Sequence, residues 1–164
     1  MKKSINLRYL PKSLSKKDKK KQYNMLQKSR RFYKKNKYYT RKKVKSFHSK
    51  PSQHIINARK IYKIDKIKPS NKLSKATNCS INTLKKIVNK GEGAYYSSGS
   101  RPNQTPQSWG YARLASAITG GKASAVDYSL LESGCKSNSK ALKLAKQAKK
   151  KYGKGTRRVP KTKI

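Results

Sequence analysis

Carboxylates are the scarcest chemistry in this sequence. Five Asp and Glu face 45 Lys and Arg over 164 residues, a net charge of +40 at pH 7. Large apolar side chains are also few: Leu, Ile, Val and Phe together number 27. Low apolar content with large charge of one sign defines the disorder-prone class. It excludes a single large packed core, and it argues against a small-molecule enzyme, whose pocket is lined mainly by apolar side chains. No apolar run approaches the ~18 residues of a membrane-spanning helix. The start, Met1-Lys2-Lys3-Ser4-Ile5, is basic with no apolar stretch behind it, so no secretory signal is expected.

Metal and redox chemistry are thinly supplied too. Cys79 and Cys135 stand 56 positions apart with only His48 and His54 beside them, which is no zinc spacing. The expectation is two reduced thiols in an intracellular chain, with a disulfide as the formal alternative. No two of Asp18, Asp65, Glu92, Asp127 and Glu132 sit at metal-ligand spacing, and neither His lies near a Ser or Cys nucleophile motif. The expectation is therefore no metal, no cofactor and no catalysis.

What the chain has is cationic charge, unevenly spread. Residues 1–72 carry +24, residues 73–135 carry +4 and residues 136–164 carry +12. A nearly neutral middle between cationic arms suggests that only the middle folds as a compact unit, and the helix signals below make the expected class mainly α. A small helical domain is expected over 73–152, with a long basic N-terminal extension over 1–72 and a short basic tail over 153–164. The extension is expected to be partly helical, and disordered or ordered only against a partner.

Local signals place the helices. Leu14 to about Lys35 has no Gly or Pro and is rich in helix formers. Ser52 can cap a helix to about Lys63, with Ile55, Ala58 and Tyr62 on one face. Ser80 caps Ile81–Asn89, with Gly91 just past its end. Gly91–Pro106 reads as a polar loop. Thr105 then caps a helix with Pro106 at its first position, running to about Thr119 and ended by Gly120-Gly121. Ser124 starts a short helix through Glu132, and Ser139 caps a last one to Tyr152.

Three patterns carry chemistry. The first is the basic runs: Lys16, Lys17, Lys19, Lys20, Lys21, Arg30, Arg31, Arg41, Lys42, Lys43, Lys149, Lys150 and Lys151, with Tyr9, Tyr23, Phe32, Tyr33, Tyr38, Tyr39, Phe47 and Tyr62 among them. Cations release counterions from phosphates, and aromatic faces stack on bases. Solubility alone does not need this surplus; interspersed acids serve it better.

The second is the helix-turn-helix rhythm of 73–88, with Asn78 in the turn and Cys79 beneath it. In that geometry Ser80, Ile81, Asn82, Thr83, Lys85 and Lys86 face a groove; the same pattern also fits a plain helix hairpin. The third is the 91–109 block, a candidate anion or ligand loop built on Ser97, Ser98, Ser100, Arg101, Asn103, Gln104 and Trp109, in which Arg101 completes a phosphate clamp and Arg113 lies two turns into the following helix near Trp109. The alternative is a structural loop in which Tyr95, Tyr96 and Trp109 close a small core.

The block Gly93-Ala94-Tyr95-Tyr96-Ser97-Ser98-Gly99-Ser100-Arg101-Pro102-Asn103-Gln104-Thr105, with Trp109–Ser116, Thr119–Ala123 and Val126-Asp127, resembles an uncharacterised protein family of large nucleocytoplasmic DNA viruses of algae and protists. Pro11–Gln22 and Lys37–Lys43 resemble it as well. The resemblance implies a viral origin and brings no assigned chemistry, so the site expectations rest on the residues themselves. Together they predict a nucleic-acid-binding protein, DNA ahead of RNA, that condenses a genome or rides in the virion. Capsid or core proteins are further partners, and the location is the virion, the host nucleus or a cytoplasmic virus factory, not secretion. The alternatives are a structural virion protein whose arms thread between capsid or core subunits and, third, a nucleic-acid-processing enzyme.

Overall fold

The computed structural model describes residues 4–153 and 160–163. The elements in chain order are β1 (Ser4–Asn6), a single 3-10 turn (Leu7–Tyr9), α1 (Lys16–Lys34), α2 (Gln53–Tyr62), α3 (Asn71–Thr77), α4 (Ile81–Ser97), α5 (Pro106–Ile118), α6 (Lys122–Val126), α7 (Tyr128–Gly134), α8 (Lys140–Tyr152) and β2 (Lys161–Lys163). The protein is mainly helical. Hydroxyl caps start most of these helices. Ser15, Ser70, Ser80, Thr105 and Ser139 each accept the amide three residues on, at 3.0–3.2 Å. Asn36, Lys63 and Asn78 take the left-handed turn at helix ends.

The chain packs as two compact units. One comprises described residues of Met1–Lys50, Glu92–Trp109 and Arg158–Ile164. Its core is Ile5, Tyr9, Leu10, Leu14, Met25, Leu26 and Val44, with Tyr23, Tyr39, Phe47 and Trp109 against it. β1 and β2 pair antiparallel, Ile5 opposite Thr162, and the Leu7 amide donates to Pro160 O at 2.8 Å.

This corrects the expected N-terminal extension: the described residues of 1–50 are folded into a core, not a disordered arm. Residues 92–109 return to complete that core, and a local window of sequence contains neither half of the contact. The lysines of α1 stay at the surface while Met25 and Leu26 turn inward, so charge and burial occupy different faces of one helix. Of the expected basic tail, 154–159 and 164 lie outside the described residues, and Lys161–Lys163 form β2.

The other unit comprises described residues of Pro51–Gly91 and Gly110–Arg157. Leu73, Leu84, Ile87, Leu114, Ile118 and Leu131 are fully buried there among Ala58, Ala115, Ala141 and Ala145. Each such Leu or Ile contributes about 1.5–3 kcal/mol. The buried Tyr62 hydroxyl donates to Ile118 O at 2.5 Å, and burial pushes its pKa upward, which holds it as the donor.

Two expectations change here. The loop expected from Gly91 does not start there, because α4 runs on to Ser97. Gly91 is a packing residue rather than a stop: a Cβ on it would lie 2.6 Å from Gly110 Cα. Cys79 and Cys135 are joined in a disulfide rather than held as free thiols. They also face each other as a short antiparallel bridge, in which Ser80 N donates to Gly134 O and Lys136 N to Asn78 O. Nothing in the spacing of two cysteines 56 residues apart reveals that α3–α4 and α7–α8 bring them together.

Closing a loop with a sequence separation of 56 removes unfolded-chain entropy equivalent to about 4 kcal/mol. Reduction, or the double change Cys79→Ser and Cys135→Ser, should lower Tm by on the order of 10 °C. Helical circular dichroism at 25 °C should persist, because the backbone bridge survives. A melting curve indifferent to reductant would show that the thiols are unjoined in solution.

Candidate nucleic-acid interface

The geometry starts from the C-terminal end of α4. A helix leaves its last carbonyls without partners and carries a partial negative charge there. In this protein cationic and hydroxyl side chains take those carbonyls. Arg41 Nη1 donates to Tyr95 O at 2.8 Å, Ser29 Oγ to Tyr96 O at 3.1 Å and Arg30 Nε to Ser98 O at 2.8 Å. Arg41 also donates from Nη1 to Ser29 Oγ (3.0 Å) and from Nη2 to Ser100 Oγ (2.8 Å), and its backbone amide donates to the Tyr95 hydroxyl (2.8 Å). Its guanidinium lies 3.8 Å from the Tyr95 ring centre.

Arg41 is 7% exposed. No carboxylate of the described residues pairs with it; carbonyl, hydroxyl and ring electrons surround it instead. Burial lowers its pKa and raises that of Tyr95, and each partner opposes the shift in the other, so the pair remains guanidinium and neutral phenol.

The turn 98–105 is tied down in the same way. Asn103 accepts the Val44 amide at 2.7 Å and donates to Val44 O and Phe47 O, which binds the extended 41–47 segment to the turn. Gln104 accepts Ser108 Oγ at 2.7 Å. A surface recess of about 480 Å³ opens beside Arg101, lined also by Leu7, Arg8, Pro11, Lys12 and Pro160. The Arg8 guanidinium stacks 5.2 Å from the Tyr9 ring and 5.7 Å from the Trp109 ring.

Residues 6–132, well over half of the chain, match the model of a family of unknown function, DUF5824. The chain belongs to the DUF5824 family. No curated protein and no solved structure matches it.

In this DUF5824 chain the predicted site residues separate into two groups. Lys16, Lys17, Lys20, Lys21, Arg31, Lys42, Lys43 and Arg101 are exposed in the first unit, as are Lys85, Lys86, Lys149, Lys150 and Lys151 in the second; Lys19 and Arg30 are half-buried. Arg41 and Arg113 instead point inward. Arg113 grips the fully buried Asp127 with Nε (2.9 Å) and Nη2 (2.8 Å), and Lys90 approaches the same carboxylate at 3.3 Å. Of the 91–109 block, Ser97 is helical, Ser100 is buried on Arg41, Ser98 gives its carbonyl to Arg30, and Trp109 is part of the core around Leu26.

The 73–88 segment has the turn and the two helices that its rhythm predicts. Thr83 departs from the groove-facing set: it is buried, and a Cβ on Gly134 would overlap its side chain. Ser80, Asn82, Lys85 and Lys86 remain exposed. Sequence reasoning missed Arg8 and Lys12, because single cations outside the runs give no signal until the fold sets them beside Arg101. Among the described residues no helix is long and apolar enough to cross a membrane, and no cluster of three His, Cys, Asp or Glu could hold a metal.

Arg41→Lys removes the fork that reaches three acceptors at once. It should cost roughly 2–4 kcal/mol and lower Tm by on the order of 5–15 °C, while Lys42→Ala next to it changes stability by less than ~0.5 kcal/mol. Equal melting of the two variants would remove Arg41 from the centre of this unit.

Asp18 accepts the Ser46 hydroxyl (2.6 Å) and amide (2.8 Å), which hold its pKa below the usual carboxylate value. A lowered folded-state pKa gives stability above the unfolded pKa that is lost as pH falls through the folded one. The tether between α1 and Ser46 should therefore release only below about pH 4. The Ser46 amide resonance should titrate with a midpoint below that of an ordinary Asp, and Ser46→Ala should raise the Asp18 midpoint. An Asp18 midpoint unmoved by Ser46→Ala would contradict the assignment.

Proposed function

We propose that this chain binds nucleic acid, DNA ahead of RNA, by neutralising phosphates, and that it condenses or accompanies the genome of a large DNA virus in the virion or virus factory. The observation that carries the reading is the imbalance between cations and their internal partners. The chain has 45 Lys and Arg, and the two ion pairs that join described residues both end on one buried carboxylate, Asp127. Arg41 and Arg113 turn inward, but most of the described Lys side chains of α1 and α8 are exposed.

Their arrangement suits a polyanion. On α8, Ala141, Leu142, Ala145 and Ala148 are buried, while Lys140, Lys143, Lys146, Lys149 and Lys150 are exposed. These five ammonium groups extend along about 15 Å of helix axis, against a duplex that offers one negative charge per ~1.7 Å. Lys16, Lys17, Lys20 and Lys21 on α1, with Lys42 and Lys43, supply a second cationic face within the other unit. The viral part of the reading comes from the resemblance carried by the Gly93–Thr105 block. No reaction is assigned to the chain.

With ~6–10 phosphates engaged, affinity for duplex DNA should fall about 10³–10⁵-fold between 50 and 200 mM salt, and log K against log salt should have a slope of about −5 or steeper. Fluorescence anisotropy across that range measures it. A full chain that ignores both DNA and RNA at 50 mM salt would overturn the reading.

A further inference from the structure

Most aromatic rings of the first unit are committed to packing. Tyr9 is buried, Tyr23, Tyr39, Phe47 and Trp109 lie against the core, and the Phe32–Tyr39 pair is covered by the Lys28 ammonium at 5.4 and 4.4 Å. Two rings are not so committed. Tyr38 is 68% exposed and Tyr33 is 38% exposed, and they are two of the three exposed large hydrophobic side chains among the described residues. They are neighbours in space as well, with ring centres 6.3 Å apart.

Tyr38 lies 5.0 Å from the half-buried Tyr96, and Tyr96 lies 5.2 Å from the fully buried Tyr95 beneath Arg41. Four rings thus run from a locked interior ring to open solvent. Rigidity is supplied at the inner end, where Arg41, Ser29 and Arg30 hold the end of α4. At the outer end the sequence supplies charge: Arg31, Lys34, Lys35 and Lys37 are all exposed, and no acid occurs between Asp18 and Asp65.

We propose that Tyr33, Tyr38 and Tyr96 form a stacking platform for the bases of single-stranded nucleic acid. The inference rests on the reading that the partner is nucleic acid, and it selects the form of strand. Charge alone does not separate duplex from single strand. An aromatic face does, because a duplex keeps its base faces covered by neighbouring bases while a single strand offers them. Every base has such a face, so the platform is tolerant of sequence, and the flanking Lys and Arg follow the backbone. Tyr38, at the outer end of the chain of rings, is the most exposed large hydrophobic side chain described.

The test uses the full chain and three labelled ligands in anisotropy: an oligothymidylate single strand, an abasic strand of equal length and a duplex. Tyr38→Ala should lose about 5- to 100-fold in affinity for the oligothymidylate, whereas Tyr38→Phe, which keeps the ring, should stay within about twofold of the parent. Tyr33→Ala should weaken the same ligand. The salt slope should not change in any of them, because no charge is removed. Affinities for the abasic strand and the duplex should match the parent's, and an unchanged Tm shows that the fold is kept. Oligothymidylate binding indifferent to Tyr38→Ala, or an equal loss on the abasic strand, overturns the platform and leaves the phosphate-binding reading standing. A parent protein that binds none of the three ligands at low salt overturns both.

Discussion

A guanidinium at the end of a helix organises the first unit of this protein. Arg41 reaches the Tyr95 carbonyl near the end of α4 from a segment more than fifty residues earlier in the chain, and in doing so it fixes Ser29 of α1, Ser100 of the following turn and the Tyr95 ring together. A buried cation without a carboxylate would ordinarily be prohibitive. Here the C-terminal end of α4 supplies the negative end of a dipole, the carbonyl and hydroxyls supply directional acceptors, and the ring supplies a negative face. The chain therefore commits a cation internally without using one of its five acids. In a sequence so poor in carboxylates, this is the available way to build a polar junction.

The carboxylates that are present have narrow tasks. Asp127 is fully buried and takes the fork of Arg113 with Lys90 at its side; Asp18 ties α1 to Ser46. Surface neutralisation, the usual business of Asp and Glu in a soluble protein, is left undone. The exposed lysines of α1 and α8 are thus not unfinished salt bridges. Some ammonium groups of these helices are used locally, Lys28 over the Phe32 and Tyr39 rings and Lys149 over the Tyr128 ring, with no carboxylate involved.

What was legible in the sequence was local. Ser80, Thr105 and Ser139 announce helix starts because a hydroxyl cap is a bond between residues three apart. Asn78 announces a turn because few other residues accept the left-handed conformation. The apolar faces of α5 and α8 follow from spacing alone. What was not legible depends on residues far apart in the chain. Gly91 reads as a helix stop until Gly110 packs against it. Arg41, Lys42 and Lys43 read as one basic run, and only the arrival of Tyr95 and Ser100 turns the first of them inward. Residues 1–72 read as a partly helical extension, disordered or ordered only against a partner, because their charge is local and evident, while the core that the described residues of 1–50 enter is completed by 92–109. The disulfide was hidden for the same reason.

Self-repulsion among so many like charges opposes compaction, and the fold meets it with small cores, one disulfide and a few shared polar junctions. A polyanion that binds the folded chain removes that repulsion, whereas salt only screens it. By linkage, whatever binds the folded state more tightly than the unfolded one also stabilises it. On the proposal that the partner is a polyanion, the repulsion left uncancelled inside the isolated chain would also favour meeting it, which couples the surplus of cations to the modest size of the two cores. A surface with balanced charge would make the isolated fold easier to hold and would give up that coupling.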